Sequence, residues 1–169
     1  AIIPSGHFVL EDGDRIFVTA PTDDLSSLLK NLGIVTRRVR RVLLCGGGKV
    51  SFYLAKLLEK GNMDVRLLEK NYERCVELAE DLPGTSVIHG DCSNMNVLEA
   101  QGFDQCDALV SLTGLDETNM IVALYGENRG VRQIITKISR EENGSIANEL
   151  ALGSVINPRE LCSTHIVRY

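Results

Sequence analysis

Short apolar runs alternate with amphipathic stretches through most of this chain, and that alternation predicts strands and helices in turn. Val42-Leu43-Leu44-Cys45 is a continuous apolar run of the kind buried on both faces of a parallel sheet. The stretch after it sets Val50, Leu54, Leu57 and Leu58 on one helical stripe that stops at Gly61. Val65, Leu67 and Leu68 form a second strand ending at Glu69. The next helix is predicted to turn Tyr72, Cys75, Val76, Ala79 and Leu82 inward before Pro83-Gly84 breaks it. Ser86-Val87-Ile88, Ala108-Leu109-Val110 and Gln133-Ile134-Ile135 supply three more strands, with helices starting near Ser93 and Asp116 between them. Such alternation with glycine-marked turns predicts an α/β fold, a parallel sheet covered on both faces. Right-handed crossovers make it doubly wound.

The pattern differs at the two ends. Val9-Leu10, then Glu11-Asp12-Gly13-Asp14, then residues 15–20 read as two strands around a tight turn. After Pro21, Leu25, Leu28, Leu29 and Leu32 recur at helical spacing, and Gly33 supplies a left-handed stop. Two strands and a helix cannot bury a core alone, so this piece reads as the end of a larger module. Near the other end, Asn157-Pro158-Arg159-Glu160 carries an N-cap, a proline at the first helical position and a glutamate three after the cap. It predicts the opening of a further helix.

Composition narrows the class. The 169 residues are enough for a core without a staple. No apolar run approaches the ~20 residues of a membrane helix, which predicts no direct membrane insertion, and no leader points to export. Eighteen basic against 23 acidic residues leave a net charge of −5, unfavourable for phosphate neutralisation, so nucleic acid is not the expected partner. The one dense basic run, Arg37, Arg38, Arg40 and Arg41, reads as a solvated linker. Five cysteines without a C-x-x-C pair read as cytoplasmic thiols, and His7, His89 and His165 build no metal site.

The candidate chemistry lies in a glycine-rich turn. Gly46-Gly47-Gly48-Lys49-Val50-Ser51 sits where the first strand passes into the first helix. Gly46 permits the tight turn, and Gly48 has no side chain to block a phosphate approaching the backbone. The helix start offers free N–H groups and a partial positive charge, and Lys49 adds a mobile cation. Ser51 stands where the dinucleotide fingerprint has its third glycine. Glu69 follows Gly46 by 23 residues, near the ~20 expected for a ribose-binding acid. Its charge repels a 2′-phosphate, by a few kcal/mol at about 4 Å near a surface, which favours adenosine or NAD over NADP although Lys70 and Arg74 stand close. Gly90-Asp91-Cys92 and Thr113-Gly114 follow the third and fourth strands on the same carboxyl edge, with Asp91 a candidate acceptor for an adenine amino group and Cys92 small enough to sit by the ring. Asp116 reads as an N-cap, Asn119 as exposed or capping, and Lys137 as solvated.

Residues 40–156 resemble the Rossmann-like nucleotide-binding regulatory domain of potassium-transport proteins, the RCK or KTN domain, and in particular that of Trk-system peripheral subunits. The likeness rests on Gly46-Gly47-Gly48-Lys49-Val50, Leu68-Glu69-Lys70, His89-Gly90-Asp91-Cys92-Ser93 and the stretch from Leu112 to Asn119. Ile3-Pro4-Ser5-Gly6 and residues 10–16 are similar to the end of that family's C-terminal subdomain. The resemblance implies three parts: a partial α+β C-terminal subdomain over 1–36, the nucleotide domain over 37–156, and the start of a crossover helix over 157–169. It implies NAD(H) or an adenine nucleotide, ATP or ADP, as ligand. Gly46, Gly47, Gly48, Lys49 and Val50 would then face the phosphates, Glu69 with Lys70 the ribose, and Asp91, Cys92 and Thr113 the adenosine. The family commonly has arginine where this chain has Lys49, a point charge without the bidentate fork.

What the resemblance implies is regulation rather than turnover: a cytoplasmic subunit peripheral to the membrane, homo-oligomeric, acting on a membrane potassium channel or transporter subunit. The alternative is the cofactor-binding domain of an NAD-dependent oxidoreductase. That reading lacks a substrate domain after residue 156, and Tyr125 is followed four positions on by Arg129 rather than lysine.

Overall fold

The computed structural model describes residues 9, 11, 21–33, 38–150 and 152–159. The chain divides into two compact units, Ala1–Arg38 and Val39–Tyr169. In the first unit, α1 (Thr22–Asn31) is closed by the Leu32 N–H donating to the Leu28 carbonyl at 2.9 Å, and Gly33 at φ 68° provides the left-handed stop. The strands expected over 9–10 and 15–20 fall outside the described residues, Val9 excepted, as does the helix expected beyond Arg159. No described helix is long and apolar enough to cross a membrane.

The second unit runs β1 (Arg41–Cys45), α2 (Lys49–Lys60), β2 (Asp64–Glu69), α3 (Tyr72–Asp81), β3 (Thr85–His89), α4 (Met95–Ala100), a 3-10 turn (Phe103–Gln105), β4 (Ala108–Ser111), α5 (Asp116–Asn128), β5 (Gln133–Lys137), α6 (Glu141–Glu149) and β6 (Ser154–Ile156). The six strands form one sheet in the order β3-β2-β1-β4-β5-β6, and every neighbouring pair is parallel. This is the doubly wound, Rossmann-like order. α6 and β6 are absent from the sequence reading. Asn143 and Gly144 interrupt the apolar period of α6, and β6 is only three residues long.

Strand alternation splits the core into two. Val42, Leu44, Val65 and Leu67 face Ala55 of α2 and Leu78 of α3. Leu43, Cys45, Leu68 and Leu109 face Leu98 of α4, Val122 of α5 and Ala147 of α6. Each face is thus largely apolar and helix-covered, which is why the strands read as continuous apolar runs.

Two helices are rotated relative to their predicted stripes. On α2 Leu54 and Leu58 of the predicted stripe do pack on the core, but the small residues Ser51 and Ala55 lie deepest against the sheet, while Val50 and Leu57 are 51% and 65% exposed. On α3 the buried line is Cys75 and Leu78, continued by Leu82; Tyr72, Val76 and Ala79 face outward. Large apolar residues suggest one face, but small residues permit the closer helix–sheet approach on another.

Ser51 carries a cost of that approach. It is fully buried, and among the described residues its Oγ is the buried side-chain polar atom without a hydrogen-bond partner. An unsatisfied buried hydroxyl costs about 1–3 kcal/mol. Ser51→Ala is expected to stabilise the chain by about 1 kcal/mol, which raises the thermal midpoint by roughly 2–4 °C. A lower midpoint in a calorimetric melt would show that the hydroxyl is bonded in solution.

Candidate functional site

β1 and β4 are neighbours whose following helices pack on opposite faces of the sheet, so a crevice opens beyond their carboxyl ends. That switch point is where open α/β sheets bind ligands. Gly46 to Val50, Glu69, Lys70, Asp91, Cys92 and Thr113 lie at or just beyond the carboxyl ends of β1 to β4, at this edge.

The loop after β1 is fixed by its first two glycines. Gly46 sits at φ 99°, where side chains are strained, and a Cβ on it would lie 2.9 Å from the Thr113 Cα. Its N–H donates to the Leu68 carbonyl at 2.8 Å. Gly47 is buried, and a Cβ there would meet Leu78 at 2.6 Å and the Glu69 carboxylate at 2.9 Å. Its N–H donates to Glu69 Oε2 at 2.6 Å, and its carbonyl accepts from Arg74 Nε at 3.0 Å.

Gly48 differs from both. It is exposed in extended conformation at the N-cap of α2, and a Cβ built on it meets nothing within 4 Å. Lys49 and Val50 open the helix, also exposed. No described residue accepts from the N–H groups of Gly48, Lys49 or Val50, the unpaired donors of a helix start. They bring partial positive charge to open space.

Glu69 ends β2 beside this opening. Its Oε2 accepts from Gly47, and its Oε1 accepts from the Asn71 N–H at 2.7 Å. A carboxylate oxygen has two lone pairs, so each retains one for a further donor. The Glu69 carbonyl accepts from the Gly90 N–H at 2.9 Å, which ties the loop after β3 to the same point. Lys70 Nζ reaches across to Asp91 Oδ2 at 2.7 Å, and Asp91 Oδ1 accepts from the Ser93 N–H at 2.9 Å and Oγ at 2.7 Å. Lys70, and then the two Ser93 bonds, hold the Asp91 carboxyl at about 2. Cys92 is buried in the core with Cys45; the neighbouring Cys92 thiol and then burial push the Cys45 thiol well up.

The loop after β4 is tied by a residue read from sequence as exposed or capping. Asn119 is fully buried. Its Oδ1 accepts from the Thr113 N–H at 2.9 Å and Oγ1 at 2.7 Å, and its Nδ2 donates to the Lys137 carbonyl at 3.0 Å. Asp116 also departs from expectation. α5 has Leu115 at its N-cap, and the buried Asp116 carboxylate instead accepts from the N–H groups of Ser139 and Arg140 at 3.0 Å and from Asn143 Nδ2 at 3.2 Å. It secures the start of α6 from another element. Arg74 is likewise a positioning residue for Gly47, and nothing in its sequence context marks it as one.

Donors for an anion therefore lie beside acceptors for hydroxyl groups, a pairing suited to a nucleotide. The TrkA-N domain family matches residues 42–158. The Trk system potassium uptake protein TrkA of Vibrio alginolyticus is 31% identical over 159 residues, covering 94% of this chain and 34% of its own length, so this chain spans about a third of that relative. The TrkA-N domain of the inner membrane protein ybaL from Escherichia coli is similar with a TM-score of 0.69 and 15% identity, over 79% of this chain and 98% of that one. The GsuK channel bound to NAD is similar with a TM-score of 0.60 and 20% identity, over 72% of this chain and 22% of that one. These two likenesses show the fold, and the family match goes further: the chain belongs to the TrkA-N domain family.

Proposed function

We propose that this chain is the nucleotide-sensing part of a regulatory subunit of a potassium-uptake transporter, and that it binds NAD(H) or an adenine nucleotide such as ATP or ADP. The observation that carries the reading is the Gly47 N–H bond to the Glu69 carboxylate at 2.6 Å, set beside the open start of α2. Support also comes from the family, from the name of the Vibrio relative and from the NAD-bound channel of like fold. In this reading residues 37–156 form the nucleotide domain, 1–36 the end of a preceding C-terminal subdomain, and 157–169 the start of a crossover helix.

The residues divide the work. Gly48, Lys49 and Val50 receive the phosphates with backbone N–H groups, and the Lys49 ammonium adds charge. Glu69 accepts from the ribose hydroxyls with its remaining lone pairs. Asp91, kept ionised by Lys70, accepts from the adenine amino group, and Thr113 closes the far side of the crevice. The ligand supplies no chemistry of its own in this role; it supplies binding energy. Two copies of the chain pair, and a nucleotide that prefers one dimer geometry shifts the population toward it. The shift is passed to a membrane channel subunit from its cytoplasmic side. Only the difference in affinity between geometries does work on that partner.

Calorimetric titration with NADH, NAD, ATP and ADP is expected to show saturable binding of at least one, and silence for all four would contradict the reading. Glu69→Ala is expected to weaken that binding by about 1–3 kcal/mol, roughly 5- to 150-fold, with circular dichroism confirming the fold. Unchanged affinity would remove Glu69 from the site.

Discrimination against a 2′-phosphate is a separate outcome. Lys70 is paired with Asp91 and Arg74 with Glu77, so the charge of each is offset and a 2′-phosphate would meet the Glu69 carboxylate with little net attraction. NADPH is expected to bind at least tenfold more weakly than NADH, and equal affinities would refute this.

The Asp91 carboxyl, held at about 2 against an ordinary 3.8, stays ionised where other aspartates titrate. Because the folded value is depressed, the stabilisation it contributes is present above about pH 4 and is lost as pH falls toward 2. Lys70→Met is expected to move its midpoint up toward 3.8 in a carboxyl-carbon NMR titration. An unmoved midpoint would assign the depression to Ser93 alone.

A further inference from the structure

The amino edge of the sheet, opposite the nucleotide crevice, holds a second concavity. It is a cavity of about 260 Å³ lined by the starts of β1 and β2, the end of α4 and the turn before β4. Parallel pairing sets Arg41 opposite Asp64 and Leu43 opposite Arg66. Strand alternation therefore places Arg41, Asp64 and Arg66 on the face that carries Leu43 and Leu68, the face covered by α4.

Both arginines are held by one edge. Arg41 Nη1 donates to Gln105 Oε1 at 2.8 Å, and Arg66 Nη1 donates to the Gln101 carbonyl just past α4 at 2.6 Å. A guanidinium has five N–H donors in a rigid fork, and no described residue accepts from the other side-chain donors of either arginine. Asp64 is the single acid in the lining, against two cations. The neighbouring Asp107 is already engaged by the backbone N–H groups of Arg40 and Arg41 and by Arg132. Half-buried Arg66 and exposed Arg41 thus present pre-positioned positive forks from adjacent strands. Their spare donors match an oxyanion that carries more than one charge. The volume lies below the ~300–1,000 Å³ of ordinary ligand pockets, which excludes a second dinucleotide.

We propose that this cavity binds a small phosphate-class oxyanion, orthophosphate or pyrophosphate in size, with Arg41 and Arg66 as its clamps. The site is separate from the nucleotide crevice and does not depend on it. Its ligand would bridge the starts of β1 and β2 to the turn between α4 and β4.

The test titrates sodium pyrophosphate into the full 169-residue chain at constant ionic strength and follows backbone amides by nitrogen-15 NMR. The expected result is saturable shifts at Gly102 and Cys106, present also in Glu69→Ala. Arg66→Lys keeps the charge but loses the fork, and it is expected to weaken the affinity read at Gly102 at least tenfold. Arg41→Gln, on an exposed side chain, is expected to weaken it as well, with thermal melts confirming that both variants fold. Shifts confined to the amides of Gly46 to Lys49 would overturn the proposal, since the anion would then occupy only the nucleotide crevice. Non-saturating shifts, or full affinity in Arg66→Lys, would overturn it too.

Discussion

One hydrogen bond organises the carboxyl edge of this sheet: the Gly47 N–H on the Glu69 carboxylate at 2.6 Å. It joins the loop after β1 to the last residue of β2, and it requires that residue 47 have no side chain, because a Cβ would lie 2.9 Å from the same carboxylate. Gly46 imposes a matching constraint toward β4, where a side chain would strike the Thr113 backbone. With both glycines turned inward, Gly48 is the one left facing open space at the start of α2. The open start of α2 and the orientation of the acid beside it are thus consequences of the same backbone path.

The surrounding contacts hold that path from several directions. Arg74 takes the Gly47 carbonyl, the Glu69 carbonyl takes the Gly90 N–H, and Asn119 binds Thr113 to the end of β5. Most are hydrogen bonds to backbone, which fix geometry without leaving a charge unpaired. The Lys70–Asp91 pair is different in kind. Its lysine is largely exposed, so it adds little to stability and mainly sets the charge and position of Asp91.

The strands were legible in sequence because a parallel sheet covered on both faces demands unbroken apolar runs, and Val42 to Cys45 and Ala108 to Val110 are such runs. The glycine turn and Glu69 were legible because their spacing is set by one strand–helix–strand crossover. Helix rotation was not. Val50 and Leu57 share a stripe on α2 by hydrophobicity, yet the close packing of Ser51 and Ala55 turns them outward. Asn119 and Asp116 were misread because a polar residue's partner lies on another element: Lys137 is 18 positions from Asn119, and Ser139 is 23 from Asp116. α6 escaped notice because its apolar signal is weak along its own length, and a distant carboxylate secures its start.

The account is tested most directly by a crystal structure of the purified chain grown with NADH. It predicts a diphosphate over the Gly48, Lys49 and Val50 amides, with ribose oxygens within about 3 Å of the Glu69 carboxylate and the Gly47 bond still in place. A nucleotide bound elsewhere, or a Glu69 side chain swung away from Gly47, would contradict it.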